Sequence, residues 1–146
     1  MNTTIKFAFA VGEAGNFESC HFGDAEKYLI FEWNGDEMTF KKEVVNAHKS
    51  LDETPEHGSK KKGLAIVELL QSEEVKVLIS KQFGRNLRVV NKYFIPVVIA
   101  QETPQAALDI LCKHMRWIKD ELDNDPQEFK LFTINTGIFK TAVAKA

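Results

Sequence analysis

Two side chains with metal-binding chemistry stand next to each other in this chain, the thiol of Cys20 and the imidazole of His21. Both are competent towards iron, copper or zinc, and an irregular loop would let them converge on one ion. Equally, they read as a loop cysteine and a histidine that packs or hydrogen-bonds. A further imidazole, His57, precedes Gly58, whose lack of a side chain permits a tight turn. His57 is either another donor, making Cys20, His21 and His57 the candidate metal ligands, or an ordinary polar loop residue. His114 reads as a surface position and Cys112 as part of an apolar core stripe.

Anion chemistry has its own candidates. Lys60, Lys61 and Lys62 fall where a helix should begin, and cations are unfavourable beside the positive end of a helix dipole. An anion held by Lys60 and the exposed N–H groups of the first turn would relieve that conflict. Neutralisation by Glu53 and Glu56, or a later helix start, accounts for the same pattern. In Phe83-Gly84-Arg85-Asn86, the backbone at Gly84, the Arg85 guanidinium and the Asn86 amide suit the same kind of ligand. The alternative is a strand-to-helix turn capped by Asn86. Gly12 and Gly15 lack the G-x-G-x-x-G spacing of a dinucleotide site.

Composition narrows the partners. A chain of 146 residues with 44% hydrophobic content can build one core, which predicts a single domain over 1–146 with its core at about 4–123. Nineteen basic against twenty-one acidic residues leave a net charge of -2, which argues against a nucleic-acid partner. No apolar run approaches a membrane span of about 20 residues, and no leader is evident at the start, so a cytoplasmic protein is expected. Two distant cysteines imply neither a disulfide scaffold nor a self-contained zinc site.

Hydrophobic periodicity supplies the elements that must position these groups. A period of two predicts strands over Thr4 to Val11, Ala25 to Trp33 and Met38 to Val45, with Asn34-Gly35 as a hairpin signal. Helical spacing predicts Ser59 to Ser72, with Ser59 as its cap. A strand follows at Val75 to Ser80, a short helix at Arg85 to Tyr93, and a strand at Ile95 to Ala100 that Pro96 pushes towards the sheet edge. Thr103-Pro104 opens one long helix to about Asp123, with Leu108, Leu111, Cys112, Met115, Ile118 and Leu122 as its stripe. The extension 124–146 has no assigned role, although one more strand fits around Lys130 to Ile134.

Short connections and right-handed crossovers then favour an α/β fold of ribonuclease H-like type. Its mixed five-stranded sheet has the order 3-2-1-4-5, strand two antiparallel, and helices on both faces. The loops after strands one, three and four leave from one edge, beside the switch point where open α/β sheets bind ligands.

The stretch Glu18-Ser19-Cys20-His21-Phe22-Gly23-Asp24-Ala25, running straight into an aromatic and aliphatic strand, carries a family resemblance. With His57-Gly58 and Phe83-Gly84-Arg85-Asn86 in the same order, it resembles the dinitrogenase iron-molybdenum cofactor biosynthesis family, which includes NifX and the carboxy-terminal domain of NifB. The likeness covers roughly Thr4 to Leu111. Ser59-Lys60-Lys61-Lys62 departs from the glycine and alanine run of many relatives, and the last thirty or so residues extend beyond the usual core. The resemblance implies a ribonuclease H-like fold. It also implies binding or carriage of an iron-sulfur or molybdenum-containing cofactor or precursor, with Phe22 and Gly23 joining the site and a protein partner in cofactor assembly.

Two cysteines cannot supply the four thiolates of a conventional cluster, so any cluster would be preformed elsewhere and held transiently by few protein bonds, or shared across a dimer. Binding is therefore expected rather than catalysis. A metal-dependent nuclease is disfavoured, because that chemistry needs clustered carboxylates and the first strand has none. The competing reading is a protein-interaction or small-anion-binding module of the same fold without a cluster.

Overall fold

The computed structural model describes residues 4–18, 21–46, 58–83, 87–100, 103–124, 126–134 and 138–141. Strand β1 (Ile5–Val11) runs through the middle of the sheet, covered on both faces. Ile5, Phe7, Phe9 and Val11 enter one core layer, while Ala8 and Ala10 enter the other. Alternating large and small side chains thus lets a helix approach closely on the alanine side.

Strands β2 (Lys27–Trp33) and β3 (Met38–Val45) follow antiparallel, each to the one before. Between them, Gly35 takes a φ of 101°. Asn34 instead uses its Oδ1 to accept the N–H groups of Asp36 and Glu37, both at 2.9 Å. The turn therefore works through one positive φ and one side-chain acceptor. β3 forms one margin of the sheet, and its pairing slips between Ile30 and Phe31, leaving Lys41 without a register partner. That slip seats Phe40 on Phe31, with ring centroids 5.5 Å apart, and with Lys41 and Lys42 blunts the margin against further strands.

Helix α1 (Gly58–Ser72) starts one residue earlier than the sequence suggests, so Ser59 lies inside its first turn rather than at its cap. Strand β4 (Val75–Ser80), helix α2 (Leu87–Val90) and strand β5 (Ile95–Ile99) come next. α1 and α2 cover the alanine face of β1, through Ile66, Val67, Leu70 and Val90. The opposite face is covered through Ala107, Leu111, Met115 and Ile118.

Those four residues belong to two helices, α3 (Pro104–Lys113) and α4 (Met115–Asn124), where one long helix was expected. Thr103 does cap α3, its Oγ1 accepting the Ala106 N–H at 3.2 Å. The break is at His114, whose φ of -119° and ψ of 24° leave the helical region. The apolar stripe stays in phase across the break, which is why its spacing reads as continuous. Cys112 is not part of that stripe. It lies one position, about 100° of helix rotation, from buried Leu111, and is exposed. Its thiol is nevertheless raised above the ordinary range, first by partial burial and then by the Asp109 carboxylate one turn back.

The sheet order is β3-β2-β1-β4-β5-β6-β7, with β6 (Leu131–Ile134) and β7 (Ile138–Thr141) drawn from the carboxy-terminal extension. The expected 3-2-1-4-5 order is present, with β2 antiparallel to both neighbours and β4, β5 parallel to β1. β5, however, is interior. It pairs with β4 on one side and β6 on the other. Pro96 is accommodated because pairing with β6 begins only at Val97, so its missing N–H falls outside that ladder.

The extension is fastened as well as paired. The Phe129 N–H donates to the Asn91 carbonyl at 2.7 Å, and Asn91 Nδ2 donates back to the Phe129 carbonyl at 3.1 Å. One residue on, the Lys130 N–H donates to Oε2 of Glu121, a carboxylate only 2% exposed on α4. Phe132 and Ile134 then fill the core layer under α3 and α4. Among the described residues, no helix is long and apolar enough to cross a membrane.

Candidate functional site

The carboxy-terminal ends of β1, β3 and β4 lie along one edge of the sheet, because β1 is antiparallel to β2, β2 to β3, and β4 parallel to β1. β1 and β4 are neighbours, and the chain leaves them towards opposite sides, which is the switch-point geometry. The described residues of all three loops meet there.

From the first loop, His21 forms an isolated parallel bridge with Gln82, just beyond β4. The Phe22 N–H donates to the Gln82 carbonyl at 2.7 Å, and Ser80 Oγ donates to the same oxygen at 2.9 Å. Phe22–Asp24 then makes one 3-10 turn before β2. From the loop after β3 comes Asn46, 6% exposed, whose Nδ2 donates to the carbonyls of Gly23 and Ala25, both at 2.9 Å. Its own N–H reaches the Glu26 carbonyl at 3.1 Å. One buried amide therefore ties the His21-Phe22-Gly23 segment to the end of β3.

Phe22 occupies a stack. Its ring centroid lies 4.8 Å from that of Tyr28 and 5.4 Å from that of Phe83, and it is 1% exposed. The Tyr28 hydroxyl donates to the Phe22 carbonyl at 2.9 Å. Phe22 and Gly23 are both buried, so their work here is to hold the turn in place. His21 is the exposed member of the segment, extended in backbone at the head of the 3-10 turn.

Charge enters from both sides. Gly12, where β1 ends, turns back through its N–H to Asn16 at 2.9 Å. A methyl group at Gly12 would strike the Glu18 carboxylate, so that acid rests directly over the end of β1. Across the crevice, α1 packs against the 3-10 turn. Its last turn leads straight into the amino end of β4, so its first turn, with Gly58 and Lys60, stands at the opposite, carboxy-terminal edge. That turn contains no acid to offset the dipole. Cys20, His57, Gly84, Arg85 and Asn86 lie outside the described residues. Among the described residues, no three His, Cys, Asp or Glu side chains come together as a metal centre.

The structure places His21, Phe22 and Gly23 at this edge, Phe22 and Gly23 buried, together with Asn46, Ser80, Gln82 and Glu18, which sequence reasoning did not single out as site residues. Asn46 carried a usable signal, since asparagine directly after a strand commonly bonds to nearby backbone. Replacing it with alanine would strand the carbonyls of Gly23 and Ala25. The expected cost is about 1–3 kcal/mol, read from the urea midpoint. An unchanged midpoint would mean that the turn is held by other contacts.

Comparison with known proteins adds the family. No curated protein matches the chain at a significant level. The model of the dinitrogenase iron-molybdenum cofactor family matches residues 3–114, from the start of β1 through the whole of α3, and the chain belongs to that family.

Proposed function

We propose that the chain binds or carries a metal-sulfur cargo, an iron-sulfur or molybdenum-containing cofactor or its precursor, at the edge where β1, β3 and β4 end. Family membership supports the ligand class. The single observation that supports the location is the pairing of His21 with Gln82, which sets an exposed imidazole beside the switch point. In this reading His21 and Cys20 are first donors to the cargo and His57 a further one. Lys60, Arg85 and the backbone of Gly58, Gly84 and Asn86 offset its negative charge. Phe22, Gly23 and Asn46 keep the His21 segment in place. A thiolate donor must stay reduced, which suits a cytoplasmic protein, and a partner in cofactor assembly would deliver or accept the cargo. The chain itself makes and breaks no covalent bond of a substrate.

The test is anaerobic titration with tetrathiomolybdate and, separately, with a preformed iron-sulfur cluster, followed by visible absorption. Saturable perturbation of the cargo bands is expected, weakened by about tenfold or more in a Cys20→Ala, His21→Ala variant, or about 1.4 kcal/mol. If folded protein perturbs neither spectrum, the proposal fails. Perturbation that survives the double variant unchanged would remove these residues from the site.

A further inference from the structure

The opposite edge of the sheet carries two adjoining cavities, of about 440 and 420 Å³, where β1 and β4 begin. Each is within the range of small-molecule sites, roughly 300–1,000 Å³. They share Thr4, Gln71, Lys76 and Tyr93. Tyr93 thus stands between them, with 43% of its surface exposed, in a turn fixed by its N–H to the Val90 carbonyl at 3.0 Å. An aromatic ring, with only two side-chain torsions to order, offers a stacking surface at the cavity wall at little conformational cost.

The second cavity is also cationic. Among the described residues, Lys76 from β4, Lys92 from the turn after α2 and Lys119 from α4 line it, against one acid, Asp123. Ion pairs among the described residues join Lys27 to Glu43, Lys41 to Glu32 and Lys42 to Glu73, and include none of these three lysines. The adjoining cavity adds Lys6 against Glu32 and Glu74, so among the described residues the two together keep a local excess of one positive charge, gathered at the second cavity, in a chain whose total is -2. Apolar Ile5, Leu122 and Phe129 complete the wall, lowering the local dielectric and so strengthening attraction for an anion.

We infer that these cavities form a second ligand site, remote from the cofactor edge, for an aromatic dianion of the size of a nucleoside monophosphate. The aromatic ring stacks on Tyr93, and the dianion lies among Lys76, Lys92 and Lys119. Stacking on one aromatic side chain is weak by itself, and so is the attraction of solvent-facing lysines for an anion, so the two halves of the ligand must act together.

Calorimetric titration of the full chain with adenosine 5′-monophosphate tests this, with adenosine and inorganic phosphate as separate arms. Saturable binding of the monophosphate is expected, at least about tenfold tighter than either fragment. Tyr93→Ala and a Lys92→Ala, Lys119→Ala variant should each weaken it by about tenfold or more, while Tyr93→Phe and His21→Ala preserve it. Circular dichroism confirms that each variant is folded. No saturable binding, phosphate binding as tightly as the monophosphate, or affinity indifferent to Tyr93 and the lysines would each overturn the inference. Because His21 stands at the other edge, failure here leaves the cofactor proposal untouched, and the reverse holds.

Discussion

Phe22→Ala should destabilise the folded chain by about 3–5 kcal/mol, the usual range for emptying a buried phenylalanine site. The ring is 1% exposed and stacked between Tyr28 and Phe83, so its removal leaves two aromatic faces against a void. The loss is further coupled to the site. The Phe22 backbone bridges β4 through Gln82 and accepts the Tyr28 hydroxyl, so a loosened turn would release His21 as well. Chemical denaturation of the variant measures the first effect, and cargo titration below its unfolding transition the second. A variant of unchanged stability that has lost cargo binding would make Phe22 a direct contact, contrary to the packing.

Truncation after Asn124 is expected to abolish stable folding. It removes Phe129, Phe132 and Ile134, which are 8%, 0% and 0% exposed, from the layer under α3 and α4. Each such side chain contributes about 2–5 kcal/mol, and a typical domain has only about 5–15 kcal/mol in total. The cut also opens the β5 margin that β6 covers, a ready template for aggregation. Size-exclusion chromatography and thermal melting of the shortened chain decide the matter. A soluble monomer melting within a few degrees of the full chain would show that the part matched by the family, residues 3–114, stands largely unaided.

Much of this architecture could be read from residue patterns because local and long-range demands agree. The period of two in β1 and β2, Asn34-Gly35 and the Thr103-Pro104 start each mean in the fold what they mean locally. The failures have identifiable physics. The break at His114 was invisible because Leu111, Met115, Ile118 and Leu122 keep helical spacing across it. Pro96 signalled an edge, yet β6 covers that side from Val97 onward, a pairing made by residues more than thirty positions away. Hydrophobic periodicity passes over Glu121, which is buried with its Oε2 accepting the Lys130 N–H from the extension. At the candidate site, the His21-Phe22-Gly23 segment was legible as a motif. Its dependence on Asn46 and Gln82 was not, since those contacts join loops that only the sheet order brings together.

The three hydrogen bonds that fasten residues 129 and 130 share an asymmetry. On the extension they use only main-chain groups, the N–H and carbonyl of Phe129 and the N–H of Lys130, whereas the body of the protein contributes the side chains of Asn91 and Glu121 together with the main-chain carbonyl of Asn91. This latch recognises where the tail passes and is blind to which residue passes there, proline excepted, because proline carries no N–H. Drift in the tail's polar letters is therefore cheap, while Asn91 and Glu121 bear the constraint for both halves.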